Sequence, residues 1–371
     1  MTKSLNEREA YVALNMMADI GPVSVRSLVT VLGSPQAIFQ AAKRDILHAD
    51  GIGTALADSI IAQRDQIQPG KEIERALRLG AQILTPVDAA YPKPLLQIHD
   101  PPLALYVFGT LEPGDKRAIG IVGSRHTTLY GRECAEKLSY QIVKSGFAVV
   151  SGLARGIDTA AHQGALKGGG RTLAVLGGAL DCLYPTENAD LARDIARHGA
   201  VLSEFPLSRK PDKTTFPMRN RIISGLSMGI LVVEAGLGSG ALITVNQALD
   251  QGRSVFAVPG RIDSPSSRGT HQLIKNGARL IESVDDILDE FEFLIPPGPR
   301  NNATSGTVSS RPQLLPEEER IVSALEEGEQ DLDTLTRTTG LPAARVSALL
   351  IGLEMKRMVR MQPGRIVDLI R

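Results

Sequence analysis

The chain has 371 residues, more than one ordinary domain of roughly 100 to 200 residues contains, so we expect two or three domains. Hydrophobic residues make up 43% of the chain and charged residues 22%, which is typical of a globular protein with a packed core and excludes global disorder. Lys and Arg total 41, as do Asp and Glu, so the net charge does not indicate a polyanionic partner. A nucleic-acid site would have to come from local clustering of charge.

The amino-terminal sequence lacks the basic-then-apolar pattern of a secretory signal, and no apolar run approaches the roughly 18 residues that span a bilayer. We therefore expect a cytoplasmic protein that does not contact a membrane. The two cysteines, Cys134 and Cys182, form no CxxC pair, and no histidine cluster has the spacing of zinc ligands. We expect both thiols to be reduced and buried, and we predict neither a metal nor another cofactor.

Residues 1–75 show short helical patterns separated by glycine turns, which predicts a helical domain of the helix-hairpin-helix or SAM-like kind. The turn at Gly51–Gly53, in GIGTALADSI, is typical of a helix-hairpin-helix. In such a turn the glycines let backbone N–H groups at a helix N-terminus approach a DNA phosphate. A plain helical hairpin without DNA contact is the alternative, and the sequence leaves both open.

Within residues 76–295, apolar runs alternate with helix-sized amphipathic stretches from about residue 115 onward. The runs are AIGIVG, FAVVSG, TLAVLGG, AVLSEF, GILVVEA and SVFAVPG, with a shorter RLIES at the end. Stretches such as 131–145 and 240–251 have the length of crossover helices. This alternation predicts an α/β domain with a Rossmann-like, doubly wound parallel sheet that is covered on both faces.

Two further segments follow the predicted sheet. Residues 296–315 are rich in Pro, Ser, Thr, Asn and Gly and have no periodicity, which predicts a flexible linker. Residues 316–371 contain three helical patterns and then two β-like runs around the turn 362–364, which predicts a winged helix. This segment has eight Lys and Arg against ten Asp and Glu, a net charge of −2, so DNA and protein remain equal alternatives as its partner.

Turns rich in glycine and serine follow four of the predicted strands, and parallel strands present such turns at one edge of the sheet. The turns are Gly123-Ser124-Arg125, Ser151-Gly152, Gly177-Gly178 and Gly238-Ser239-Gly240. Their backbone N–H groups predict a phosphate site, although tight turns alone would also explain the glycines. The first turn is not GxGxxG, and the second strand ends in Ser151 where an acid would hold a ribose, so a dinucleotide is not predicted.

The stretch 208–221, SRKPDKTTFPMRNR, carries five cations and one acid, a net charge of +4 in fourteen residues. The cations are Arg209, Lys210, Lys213, Arg219 and Arg221. We interpret the stretch as a basic loop at the same sheet edge, with Phe216 exposed within it. Cations that track phosphates beside an aromatic face are what single-stranded nucleic acid requires. The alternative is a solvated loop that Phe216 anchors in the core.

Catalytic patterns are weak in this sequence. Asp158 and His162 are better explained as a turn residue and a packed helix residue. A nuclease is not predicted, since no cluster of metal-binding carboxylates is evident. The glycine turn beside Glu234 leaves one enzymatic alternative, a nucleotide-processing enzyme of the lysine-decarboxylase-like Rossmann group.

Seven motifs span the predicted sheet domain in order. They are IVGSR (121–125), SGLARGID (151–158), LGGALDCLYPTEN (176–188), SEFP (203–206), FPMRNRIISGLS (216–227), VVEAGLGSGALIT (232–244) and GRSVFAVPG (252–260). Through these motifs the chain resembles the DNA-processing protein A family, also called Smf. The helical hairpins and the winged helix also occupy the places expected for that family.

The resemblance implies a DNA-binding recombination mediator rather than an enzyme. It implies binding of single-stranded DNA, loading of RecA, displacement of single-strand-binding protein, a role in natural transformation, and a homodimer formed through the late part of the Rossmann domain. The family's DNA pocket corresponds here to Arg125, Lys213, Phe216, Arg219, Asn220 and Arg221. Together with the glycine and serine turns, the predicted site comprises Gly123, Ser124, Arg125, Ser151, Gly152, Lys213, Phe216, Arg219, Asn220, Arg221, Ser239 and Gly240.

Overall fold

A group of short helices opens the chain in the computed structural model, which describes residues 5–291, 314–326, 328–355, 358–362 and 366–369. The helices are α1 (Glu7–Met16), α2 (Pro22–Leu32), α3 (Pro35–Ile38), α4 (Lys43–Ile46), α5 (Thr54–Arg64) and α6 (Pro69–Arg78). A capping box starts α1, in which the Asn6 side chain accepts from the backbone of Glu9. Leu14, Leu28 and Ile60 form part of a small core that joins these helices.

The turn before α5 has the backbone that its glycines predict. Gly51 has a φ of 76°, and Gly53 is the N-cap residue of α5. DNA contact at this turn stays a prediction.

A nine-stranded sheet follows the helices, in the order β1-β2-β6-β5-β4-β3-β7-β8-β9. The strands are β1 (Ala81–Leu84), β2 (Leu105–Gly109), β3 (Ala118–Val122), β4 (Ala148–Ser151), β5 (Thr172–Val175), β6 (Ala200–Ser203), β7 (Gly229–Val232), β8 (Ser254–Ala257) and β9 (Arg279–Leu280). From β6 to β9 all neighbours pair in parallel, as predicted. The sequence pattern does not predict β1 and β2, which extend one edge of the sheet in antiparallel pairing.

Helices cover both faces of the sheet, which is why its strands read as continuous apolar runs. They are α7 (Lys93–Leu96), α8 (Leu129–Lys144), α9 (Ile157–Lys167), α10 (Ala189–His198), α11 (Thr215–Leu226), α12 (Ala241–Asp250), α13 (Arg268–Lys275) and α14 (Asp285–Glu290). Val122, Val150 and Val175 share one core cluster with apolar residues of α11 and α12. The helices α8 and α9 pack against β3 and β4.

The basic stretch differs from its prediction as a loop, because its second half forms the beginning of α11. The Asp212 carboxylate accepts from the backbone N–H groups of Thr214 and Thr215 at 2.8 and 3.1 Å, which satisfies the helix start. Pro217 lies in the first turn, where no N–H donor is needed. Four predicted site residues are therefore helical, namely Phe216, Arg219, Asn220 and Arg221. The direction of each side chain is set by the rotation of about 100° per residue of an α-helix.

The helices α1–α6 and the sheet belong to one compact unit, Met1–Glu292. Side chains of α1 join the two parts, since Arg8 donates to the carbonyl of Ile83 and Asn15 to that of Glu204. The cysteines Cys134 and Cys182 are free and half-buried rather than buried as predicted. Among the described residues, no helix combines the length and apolarity that crossing a bilayer requires.

The second unit, Phe293–Arg371, has the three helices and the hairpin of a winged helix, as predicted. Its elements are α15 (Pro316–Glu326), β10 (Gln330–Asp331), α16 (Leu332–Thr339), α17 (Ala343–Met355), β11 (Val359–Gln362) and β12 (Ile366–Leu369). The strands pair antiparallel in the order β10-β12-β11. Of the predicted linker 296–315, all but the last two residues lie outside the described residues, as do Pro363 and Gly364 of the predicted turn.

Candidate nucleic-acid interface

A cavity of about 600 Å³ opens at the carboxyl ends of β3 and β7. The chain moves from β3 outward through β4, β5 and β6, and then returns to place β7 on the other side of β3. This reversal is the topological switch point at which open α/β sheets bind their ligands. The loop after β3, the loop after β7 and the amino-terminal part of α11 form its walls.

Nine of the twelve predicted site residues line this cavity. They are Gly123, Ser124, Arg125, Lys213, Phe216, Arg219, Asn220, Ser239 and Gly240. Residues far apart in sequence are therefore brought together by the switch point, whereas Ser151, Gly152 and Arg221 are not in the lining.

Arg219 provides a buried cation at the cavity. Its side chain belongs to a residue that is only 3% exposed, and its guanidinium donates to the carbonyl of Val175. Burial lowers the pKa of Arg219 to about 10, while the charge of Asp158 acts in the opposite direction, so the group stays protonated at neutral pH. Within the described part of the chain, its Nε has no hydrogen-bond partner. A buried cation in the cavity lining is suited to an anionic ligand.

Gly152 contributes to the site by its missing side chain rather than by facing the cavity. A Cβ at this position would come within 1.9 Å of Nη1 of Arg219. Its backbone N–H donates to the carboxylate of Asp158 at 3.1 Å. Ser151 is buried, and its hydroxyl donates to the carbonyl of Ile121 at 2.6 Å. Ser151 and Gly152 therefore stabilise the structure around the cavity without lining it.

Asp158 makes the turn contacts that the sequence predicts but also lines the cavity, and His162 is a packed helix residue as predicted. Asp158 lies in the first turn of α9 and accepts from the backbone of Gly152 and Ala154, and burial raises its pKa to about 6 despite the opposing charge of Arg219. His162 is fully buried, with its Nδ1 2.7 Å from the hydroxyl of Thr172. Burial lowers the pKa of His162 to about 3, so it is neutral.

The glycine loop after β7 leads into the N-terminus of α12. Gly240 is the N-cap residue of α12, with a φ of −60°. A Cβ at Gly240 would meet no described atom within 4 Å. Neither backbone strain nor internal packing requires glycine here, so the missing side chain leaves open space beside a helix N-terminus, where an anion is favoured.

Phe216 is half-buried rather than exposed as interpreted from the sequence. The guanidinium carbon of Arg125 lies 4.7 Å from the centre of its ring, in a cation–π contact. On the inner side, a Cβ at Gly177 would come within 2.6 Å of the ring. The aromatic ring is therefore seated in the cavity wall, whereas Lys213 is exposed at the rim.

Arg221 is a correction to the predicted site. Its guanidinium binds both carboxylate oxygens of Glu204, at 2.7 and 2.6 Å, and Asp100 at 2.8 Å. The side chains of Arg221 and Glu204 are 6% and 7% exposed. Two residues correspond to about 200° around a helix, so Arg219 and Arg221 face opposite ways. Arg221 is thus a buried ion-pair partner rather than a cavity residue.

Several cavity residues were not predicted. Apolar side chains of Ile223 and Ile243 line it, together with Pro217 and Thr244. Helical spacing could have identified them, since Ile223 lies seven residues after Phe216 and Ile243 lies three after Gly240. Among the described residues, no group of His, Cys, Asp and Glu is placed to hold a metal ion.

Comparison with known proteins identifies the family. The family model described as DNA recombination-mediator protein A matches residues 82–292, and the DprA winged helix domain matches residues 306–365. Protein Smf from Synechocystis sp. is 36% identical over 390 residues, which cover 97% of this chain and 98% of that protein.

Solved structures agree with this assignment. The X-ray structure of DNA processing protein A from Streptococcus pneumoniae is 35% identical, with a TM-score of 0.69, and the match covers 78% of this chain and all of the other. A second solved structure is that of DNA processing protein A from Helicobacter pylori, which is described for its single-stranded DNA binding mode. It is 29% identical, with a TM-score of 0.53, and the match covers 58% of this chain and 97% of the other. The chain belongs to the DNA recombination-mediator protein A family.

Proposed function

We propose that this protein binds single-stranded DNA in the cavity at the β3/β7 switch point and acts in the cytoplasm as a recombination mediator. In this role it displaces single-strand-binding protein and loads RecA onto strands taken up in natural transformation. The observation that carries the proposal is the convergence of three cations, Arg125, Lys213 and Arg219, on one cavity that also contains an aromatic ring. The description of the family as a recombination mediator, and of the Helicobacter pylori protein as binding single-stranded DNA, supports the DNA-binding part of the proposal.

The size of the cavity favours an unpaired strand. Its volume of about 600 Å³ lies within the range of about 300 to 1,000 Å³ that is usual for pockets of small ligands. Such a space admits a nucleotide unit but not a duplex. Cations at the wall neutralise phosphates, and an aromatic face stacks a base without reading its sequence.

The enzymatic alternative is less well supported, because Glu234 is occupied by structural hydrogen bonds. Its carboxylate accepts from the hydroxyls of Thr127 and Ser266, both at 2.5 Å, and from the backbone N–H of Thr128 at 2.8 Å. Burial raises the pKa of Glu234, but these hydrogen bonds outweigh that effect and hold it below its ordinary value. An ionised carboxylate that links three loops is suited to positioning them rather than to proton transfer.

Fluorescence anisotropy with labelled oligonucleotides at two salt concentrations tests the binding. Lys213→Ala is expected to weaken binding of single strands of any sequence and to flatten the line of log K against log salt by about 0.7. Lys71→Ala removes an exposed lysine from α6, outside the cavity, and is the matched control. Equal affinity for duplex and single strand, with Lys213→Ala unchanged, would contradict the proposal. Release of base from nucleoside monophosphates would instead favour the enzyme.

RecA loading requires its own assay. On DNA coated with single-strand-binding protein, the protein is expected to shorten the lag before RecA filaments nucleate, and Lys213→Ala is expected to lose this effect. A protein that binds the strand but leaves the lag unchanged would refute loading while preserving DNA binding.

The homodimer is part of the proposal. Leu249, Ile262 and Leu280 have exposed apolar side chains in the late part of the sheet domain, where we propose the interface. Light scattering at micromolar concentration is expected to give twice the mass of the chain. A monomer at that concentration would contradict the proposed dimer.

A further inference from the structure

A row of two neighbouring aromatic rings, each with a cation beside it, continues outward from the cavity. Arg125 lies over Phe216, the ring of Tyr184 lies 6.3 Å from that of Phe216, and the guanidinium of Arg155 lies 5.5 Å from the ring of Tyr184. Tyr184 and Arg155 are not part of the cavity lining. Because Arg155 follows β4 and Tyr184 follows β5, the row runs along the carboxyl edge of the parallel strands.

Tyr184 is the more accessible of the two rings. It is 44% exposed, whereas Phe216 is half-buried, with Arg125 over its ring and Gly177 near one edge. The exposed surface of Tyr184 can receive a flat ligand such as a base, because a phenol ring combines an aromatic face with a polar hydroxyl.

We propose that Tyr184 is a second stacking platform for single-stranded DNA, which receives the base next to the one held at Phe216. The inference rests on the proposed function, since it extends the path of the same strand. The planes of the two rings are inclined at 58°. Bases stacked on both rings cannot be parallel to each other. The strand therefore bends between them, and these two neighbouring bases no longer stack on each other. A duplex cannot do this without unpairing.

Tyr184 is held in place before DNA binds. Nη1 of Arg155 donates to the Tyr184 hydroxyl at 3.1 Å, and Glu187 forms an ion pair with the same guanidinium. Asn188 fixes the end of the loop by donating to the carbonyl of Leu153 at 2.9 Å. A ring that is already oriented loses less conformational entropy when a base stacks on it.

Arg155 acts in this arrangement as a positioning residue. Its charge is neutralised by Glu187, so it adds little to the attraction for phosphate. It contributes to DNA binding by holding the ring of Tyr184 in position. Arg155→Ala is therefore expected to weaken binding in the presence of Tyr184 and to have no further effect on a Tyr184→Ala protein.

The test compares oligothymidylates of increasing length with the full-length protein. Tyr184→Ala is expected to leave binding of the shortest oligomers that fill the cavity unchanged, and to weaken binding of longer ones by about 5- to 150-fold without changing the salt slope. Tyr184→Phe keeps the ring and is expected to retain affinity for long oligomers within about twofold of the unaltered protein.

Tyr140 supplies a matched control. It is 42% exposed and also has a cation beside its ring, since Lys144 lies 5.5 Å from the ring centre. It lies near the carboxyl end of α8, which runs back toward the opposite edge of the sheet. Tyr140→Ala is expected to bind DNA of every length as the unaltered protein does.

The outcomes separate this inference from the proposed function. Suppose that the unaltered protein binds single strands and that Lys213→Ala weakens this binding, but that Tyr184→Ala binds strands of every length as the unaltered protein does. The second platform is then refuted, and the proposed DNA binding in the cavity is retained. If the unaltered protein does not bind single strands, both fail. Photocrosslinking of strands containing 5-iododeoxyuridine to the unaltered protein does not depend on any variant folding. A crosslink at Tyr184 is expected, and crosslinks confined to other residues would overturn the inference.

Discussion

Replacing Arg221 with alanine discriminates between a phosphate contact and a buried structural ion pair. The guanidinium makes two hydrogen bonds to Glu204 and one ion pair with Asp100, and both Arg221 and Glu204 are more than nine-tenths buried. Removing one partner leaves the Glu204 carboxylate without compensation, which costs about 3 to 5 kcal/mol of stability. The first unit ends at Glu292, and a unit of that length has an entropy of unfolding of about 0.6 kcal/mol per kelvin, so the loss corresponds to a fall of about 5 to 8 °C in melting temperature.

The assay is thermal unfolding followed by circular dichroism, together with DNA binding measured well below the transition. Arg221→Ala is expected to melt earlier and to keep its affinity for single strands while folded. Arg221→Met combined with Glu204→Gln removes both charges and is expected to recover part of the loss, because no unpaired charge remains between them. An Arg221→Ala protein that melts normally and loses single-strand affinity would refute this reasoning and restore the phosphate contact.

Three further predictions concern other parts of the molecule. Phe216→Ala is expected to weaken single-strand binding by about 1 to 3 kcal/mol with an unchanged salt slope, and to lower stability by less than the 3 to 5 kcal/mol typical of a fully buried Phe. The pKa of His162 is about 3 in the folded protein, against 6.5 for an exposed histidine. Between these pH values only the unfolded chain takes up the proton, so the free energy of unfolding falls as the pH decreases from 6.5 to about 3. His162→Gln is expected to lessen that fall, as measured by urea unfolding. A chain that ends at Glu292, the boundary of the first unit, is expected to fold and to retain most single-strand binding.

Each of these has a result that contradicts it. Phe216→Ala with normal melting and normal affinity would eliminate stacking at this ring. An identical acid dependence with and without His162 would show that another group controls it. A folded but non-binding chain ending at Glu292 would move the site out of the first unit.

Local sequence pattern was enough to predict the parallel strands. The runs at β3, β4, β5, β6, β7 and β8 are apolar at nearly every position, because helices cover both faces of the sheet and bury all but a few of the side chains. The strands β1 and β2 were not predicted. Their pairing is antiparallel and depends on which edge of the sheet the chain returns to, and a short apolar stretch does not contain that information.

The sequence by itself also determined the chemistry of the site, since charge, glycine and an aromatic residue are concentrated in stretches that follow strands. Which of those residues reach the cavity was decided only by the tertiary structure. Arg219 and Arg221 are indistinguishable by composition, yet about 200° of helix rotation directs one to the cavity and the other to Glu204. Tyr184 comes beside Phe216 only because the strand order makes the loop after β5 a neighbour of α11 in space. Residue type is a local property, whereas direction and proximity depend on how the elements pack.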